Sequence, residues 1–208
     1  MARQGRTRDA EATKARLLQA ATEEFAQHGI AGARVDRIGT AAQVNKALIY
    51  TYFGNKDQLF DAVMDTHVTR VLEQVPFTPA DLPDYAGRLF DFLLANPHQL
   101  RLATWHRLER AGTGHDPAEL SSSQRGNADL VAQAQADQQV PTDFTPEDLF
   151  VFTLALASAW MPGSPFALPG VDHQQIESHR TNVVEAVRRL TTALTTGANK
   201  GRPGRGRR

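Results

Sequence analysis

Apolar side chains recur along this chain at helical spacing, and over no strand-length stretch do they alternate. Leu17, Leu18, Ala21 and Phe25 share one face of a first helix, predicted over residues 10–28 and stopped by Gly29. Val35, Ile38 and Ala42 mark a short helix, Val44 falls in a turn, and Ile49 and Phe53 sit four apart on a second short helix. Asn45 is a suitable N-cap for that second helix. Gly54 can end it, because glycine takes the left-handed conformation without steric cost. Asn55 with Gln58 then resembles a capping box. The helix it opens, residues 56–74, carries Leu59/Phe60, Val63/Met64, His67/Val68 and Val71/Leu72 as a four-residue stripe, and Pro76 ends it.

A proline-rich break at residues 75–84 places a domain boundary just before it. Beyond the break the chain reads as helix throughout. Residues 85–95 hold Leu89, Phe90, Phe92, Leu93 and Leu94; residues 98–111, opened by an Asn96-Pro97 cap, hold Leu100, Leu102, Trp105 and Leu108. A flexible loop is expected over 112–123, then an Ala- and Gln-rich helix over 124–138. Thr145-Pro146 opens an eighth helix on which Leu149, Phe150, Phe152, Leu154, Leu156 and Trp160 leave almost no polar face. After a rigid turn at 162–170, a ninth helix over 172–196 sets Val183, Val187, Leu190 and Leu194 in a packing seam. The fold class is therefore all-α, with about nine helices and no internal repeat.

Zero net charge looks unfavourable for a nucleic-acid partner, but its distribution changes that picture. Residues 1–56 carry a balance of +4, residues 57–196 carry −9, and residues 197–208 carry +5. A basic end joined to an acidic middle fits a DNA-reading head on a body that avoids DNA. Residues 1–9 and 198–208 are expected to be flexible basic tails.

Candidate enzyme chemistry is thin. The chain has no HExxH, phosphate loop, dinucleotide turn or nucleophile elbow. His67, His98, His106, His115, His173 and His179 include no pair at i, i+4, so neither a metal site nor a cofactor is expected. Cysteine is absent, which is compatible with a reducing, cytoplasmic setting, and no apolar run is long enough to span a membrane.

The chemistry sits instead on the second short helix. With Ile49 and Phe53 inward, Lys46, Ala47, Tyr50 and Thr51 must face out. A two-turn helix presenting a lysine, tyrosines and small side chains suits the DNA major groove.

Residues 11–71 resemble the DNA-binding domain of TetR-type transcriptional regulators. The resemblance rests on AATEEFAQHG in the first helix, on Ile38, Ala41, Ala42 and Val44 around the turn, on IYTYF (49–53) and on NKDQLF (55–60). Three positions depart from the family pattern: Gln43 stands where glycine is usual, Gly39 where alanine is usual, and Ala33 where Ser or Thr often caps. The resemblance implies a helix-turn-helix at 34–53 that contacts DNA through Arg34, Gln43, Asn45, Lys46, Ala47, Leu48, Tyr50, Thr51, Tyr52 and Lys56. Among these, Tyr50 and Tyr52 resemble the family's phosphate-touching pair. Lys56 at a helix start and Arg34 are further phosphate candidates. Leu48 either packs on a thymine methyl or fills the gap to the first helix.

It also implies a body, residues 76–197, that binds a small effector and dimerises, with the fourth helix as the link. Phe90, Leu102, Trp105, His106, Phe152, Leu156 and Trp160 are the pocket candidates. Leu149, Phe152, Leu156, Val183, Val187, Leu190 and Leu194 are the dimer-interface candidates. The expected function is a regulator, a repressor released from an inverted-repeat operator by a small molecule and acting as a homodimer. The alternative is a helical protein or small enzyme that binds an apolar ligand without DNA.

Overall fold

A computed structural model describes residues 2–110, 118–166 and 173–192. Within them the chain forms α1 (Ala2–Gly32), α2 (Val35–Ala42), α3 (Lys46–Phe53), α4 (Lys56–Gln74), α5 (Leu82–Ala95), α6 (His98–Arg110), α7 (Ala118–Ala136), α8 (Pro146–Ser158) and α9 (His173–Leu190), with a 3₁₀ turn at Pro79–Asp81. The described residues contain no strand.

Two apolar cores organise these helices. The head core joins Leu17, Ala21 and Phe25 of α1 to Ile38 of α2, Ile49 and Phe53 of α3, and Leu59, Phe60 and Val63 of α4. Phe25 meets Phe60 edge-on at 5.1 Å between ring centroids. The body core joins Leu82, Ala86, Leu89, Phe90 and Leu93 of α5 to Val131 of α7, Leu149 and Ala157 of α8, and Val183 and Val187 of α9. Three helix caps, Asn45, Asn55 and Thr145, are ones the sequence marks, while a fourth, Asp81, is not. Asn45, Asn55, Asp81 and Thr145 each accept a hydrogen bond from the amide three residues on, at 2.8, 2.8, 3.1 and 3.1 Å.

Several boundaries differ from expectation. Helix α1 begins at Ala2 rather than residue 10, since no proline interrupts its start and the amphipathic part propagates backwards. Gly29 does break it, at φ 69° and ψ −176°, before a last turn to Gly32. Helix α5 starts at Leu82 and α7 at Ala118, both earlier than the apolar pattern alone marked. Asn96 does not cap α6 with its side chain; its amide donates to the Phe92 carbonyl at 2.8 Å and closes α5. The reciprocal half of the Asn55 capping box is missing, because the Asn55 amide donates to the Phe53 carbonyl at 2.9 Å. Helix α4 ends at Gln74, just before the proline-rich break. Leu102 of α6 is fully buried in the head core. Residues 112–117 of the loop expected over 112–123, residues 167–170 of the turn expected over 162–170, and the basic tail expected at 198–208 lie outside the described residues.

Candidate nucleic-acid interface

The geometry of α3 follows from its two ends and its inward residues. Asn45 fixes the start, and Gly54 at φ 77° turns the chain away after Phe53. Ile49 and Phe53 are buried, which leaves Lys46, Ala47, Tyr50 and Thr51 exposed along one side. Leu48 and Tyr52 are half-buried, Tyr52 packing on the head core. The Thr51 hydroxyl donates to the Ala47 carbonyl at 2.9 Å, so its oxygen remains an acceptor toward solvent. Arg34, Gln43 and Asn45 are exposed as well. Lys56 is placed differently from expectation. Its ammonium donates to the carbonyls of Ala31 and Ala33, both at 3.3 Å, and so ties the end of α1 to the start of α4 rather than standing open to a phosphate.

Placing α3 requires a sharp turn from α2. Gln43 takes the left-handed conformation there, at φ 57°, which costs a side-chain-bearing residue about 1–2 kcal/mol. Val44 donates to the Gly39 carbonyl at 2.9 Å. A Cβ on Gly39 would lie 2.9 Å from the Val44 carbonyl oxygen, so glycine lets α2 and the turn close up. The glycine usual at the turn and the alanine usual in α2 are thus exchanged for Gln43 and Gly39.

The start of α2 has no side-chain cap of its own, in keeping with the sequence. Glu24 of α1 supplies the acceptor instead. Its carboxylate takes the Arg34 amide at 2.7 Å and the Arg37 guanidinium at 2.8 and 3.0 Å. Burial alone would raise the pKa of Glu24, but the Arg37 and Arg34 contacts prevail and hold it below its ordinary value. Sequence reasoning missed this group, although a signal exists: Glu24 lies on the inward stripe of Leu17 and Ala21, where a charge needs a buried partner.

One body helix, α6, grips the head. Arg101, Trp105 and Glu109 lie on one stripe of it at i, i+4 and i+8. Arg101 and the Trp105 indole donate to the Ala26 carbonyl at 2.9 and 3.3 Å. Glu109 accepts from the Ile30 and Ala31 amides at 3.2 and 2.8 Å. Gly29 permits the contact, since a Cβ there would strike the Glu109 carboxylate and lie 2.8 Å from the Trp105 ring. At the other end of α4, His67 bonds to Thr22 of α1 at 3.2 Å and to Gln99 of α6 at 2.8 Å. Burial pushes the His67 imidazole below its ordinary pKa, against the opposing Gln99 bond. Buried Arg110 closes the clamp, reaching Asp61 and Asp57 in the first turns of α4, each at 3.0 Å.

Another stripe of α6 looks into a cavity of about 740 Å³ between α6, α7 and α8. Leu100, Phe150, Leu154 and Phe166 give it apolar walls, while Arg107, Arg125, Asp129 and Glu147 bring both signs of charge. None of the seven pocket candidates lines it. Phe90 fills the body core and Leu102 the head core. His106 stacks on Phe60, Trp105 bonds to Ala26, and Trp160 stacks on His179 at 3.5 Å. Phe152 packs edge-on against Phe144, and Leu156 against the body core. Large side chains in a helical body are recruited first to close-packed interiors, and the wall of a hollow falls to their neighbours.

The dimer candidates divide in a similar way. Leu149, Val183 and Val187 are buried within the single chain, at 1, 4 and 1% exposure, so they do not form an outward seam. Phe152 at 37% remains accessible, Leu156 and Leu190 are half-covered, and Leu194 lies outside the described residues. Among the described residues no His, Asp or Glu group is arranged to hold a metal, and no helix is long and apolar enough to cross a membrane.

Comparison with known proteins covers most of the chain. Residues 17–63 match the family described as bacterial regulatory proteins, tetR family, and residues 81–189 match the tetracyclin repressor-like C-terminal domain. The HTH-type transcriptional repressor SCO4008 of Streptomyces coelicolor is 39% identical over 188 residues, covering 88% of this chain and 97% of the relative. A solved transcriptional regulator from the same organism, SCO4942, superposes with a TM-score of 0.75 at 37% identity, covering 86% of this chain and 97% of that one. NalD, the secondary repressor of the MexAB-OprM multidrug efflux pump in Pseudomonas aeruginosa, shares the fold at a TM-score of 0.62 and 19% identity, covering 88% and 96%.

Proposed function

This chain belongs to the tetR family of bacterial regulatory proteins and is a DNA-binding transcriptional regulator; from that premise we propose that it is a homodimeric repressor released from an inverted-repeat operator by a small molecule. The observation that carries the DNA-contact assignment is the exposed row Lys46, Ala47, Tyr50 and Thr51 on a helix anchored by buried Ile49 and Phe53. Lysine can donate to guanine O6 and N7, and the tyrosine hydroxyl to a phosphate oxygen, while Gln43 and Arg34 flank the row.

The effector seat is the cavity of α6, α7 and α8. Its apolar walls and mixed charged rim suit an amphipathic molecule of drug-like size. Release runs through α6, whose Leu100, Thr104 and Arg107 face the cavity and whose Arg101, Trp105 and Glu109 hold the end of α1. A ligand shifts the equilibrium only by its preference for one arrangement of these helices over the other. Two copies pair through the accessible side of α8 around Phe152, with Leu156 and Leu190 completing the contact on association. Two-fold pairing matches two recognition helices to two half-sites.

The test is selection of bound DNA from a random pool, followed by binding of the selected sequence by Lys46→Ala and Tyr50→Phe. Both variants should weaken binding without lowering thermal stability. Unchanged footprints in both would remove α3 as the reading element.

A further inference from the structure

Lys46 occupies the first position of α3, where a cation opposes the helix dipole. No acidic residue of α3 itself offsets it. The offset comes from the neighbouring helix: Asp36, in the first turn of α2, holds the Lys46 ammonium at 3.0 Å through one carboxylate oxygen and 3.4 Å through the other. The two side chains face each other across a hollow of about 360 Å³ that Gly39, Thr40, Gln43 and Val44 also line. The pair is open to solvent, with Lys46 at 51% and Asp36 at 75% exposure, so an approaching DNA surface reaches it directly.

We propose that Asp36 is a specificity-setting residue, which acts by holding Lys46 and thereby opposing every contact that this lysine makes with a lone phosphate. The proposal rests on the reading that α3 faces DNA. A phosphate oxygen offers Lys46 about what Asp36 already gives it, so exchanging one for the other gains little. A guanine edge offers two neutral acceptors, O6 and N7, to the two N–H groups that Lys46 retains while Asp36 holds the third, so on the matching sequence the pair stays intact and only a lone phosphate has to displace it. The result is a head whose non-specific affinity is held down more than its affinity for the operator. Of the neighbouring cations, Arg37 is engaged by Glu24 and Lys56 by backbone carbonyls, while Arg34 stands exposed beside the row.

The experiment compares full-length wild type, Asp36→Asn, Lys46→Ala and the double variant on the selected operator and on unrelated duplex of equal length, across a salt series. Asp36→Asn should raise affinity for unrelated DNA about two- to fivefold, raise it less on the operator, and steepen the salt slope by about one. In the Lys46→Ala background the same substitution should change neither slope nor ratio. Asp36→Ser gives a second uncharged variant should Asp36→Asn fold poorly. An equal gain with Lys46 absent would mean that Asp36 merely repels DNA, and the proposal fails. An unchanged operator-to-unrelated ratio in Asp36→Asn overturns it too. If Lys46→Ala alone leaves both affinities unchanged, the DNA-facing reading of Lys46 falls and takes the proposal with it.

Discussion

The outer face of the head and the wall of the body cavity use their charges in opposite ways. In the head, Arg37 and the Arg34 amide converge on Glu24, Lys46 on Asp36, and Lys56 on two carbonyls. Around the body cavity, Arg107, Arg125, Asp129 and Glu147 share one hollow and form no ion pair with one another. The head resembles a finished surface whose groups are already positioned. Elsewhere in the body charges do pair, Arg180 with Asp91 and Arg88 with Asp84, each at 2.7 Å, so the cavity wall is the exception. Between them, α6 belongs to both.

The largest effect should come from breaking the body core. Val187→Asp sets an uncompensated charge among α5, α8 and α9 and should cost more than about 4 kcal/mol. Thermal unfolding by circular dichroism would register it. A folded, stable monomer would show that Val187 faces a second copy after all. Next is Ile49→Ala in the head, expected to cost about 2–5 kcal/mol, read by chemical denaturation. A cost near zero would mean that α3 is not anchored by its inward face.

A smaller effect sharpens the contrast in charge. Glu24→Gln leaves the shape and removes the charge-assisted bonds, a loss of about 1.5–3 kcal/mol. Because the folded carboxyl is depressed, its stabilisation is complete above the ordinary value of 4.5 and disappears as pH falls through the folded value. Wild type should therefore lose stability below about pH 4.5 more steeply than Glu24→Gln. Parallel acid limbs would contradict the assignment. The smallest effect has the opposite sign. Gln43→Gly relieves the left-handed strain but adds disorder to the unfolded chain, for a net gain of about 0.5–1 kcal/mol. A lower melting temperature would show that the Gln43 side chain contributes more than its backbone costs.

Much of this architecture was legible in the sequence. Inward stripes such as Leu59, Phe60, Val63 and Met64, and caps such as Asn45 and Thr145, act over three or four residues, the range that periodicity reads. The short helix α3 and its exposed face were legible for the same reason. What escaped depends on contacts between distant parts of the chain. Arg101 meets Ala26 across 75 positions, and nothing local marks that pairing. The Val183 and Val187 spacing announces a buried stripe, but burial against one's own α5 and burial against a second copy leave the same pattern. The pocket candidates were chosen by size, and none of the seven lines the cavity of α6, α7 and α8. Leu102 and Phe90 fill interiors, while smaller or charged neighbours such as Thr104 and Arg107 face the hollow.

The central claim is that α6 carries information from cavity to reading head. Ala128 lines the cavity on α7, and Ala128→Trp should act as a built-in occupant. The most direct measurement is operator affinity for wild type, Ala128→Trp, Glu109→Gln and the double variant, with thermal stability followed alongside. Ala128→Trp should weaken operator binding in wild type. Its effect should shrink once Glu109 no longer grips the Ile30 and Ala31 amides with full charge. An equal loss with and without Glu109, or no loss from filling the cavity, would contradict the account.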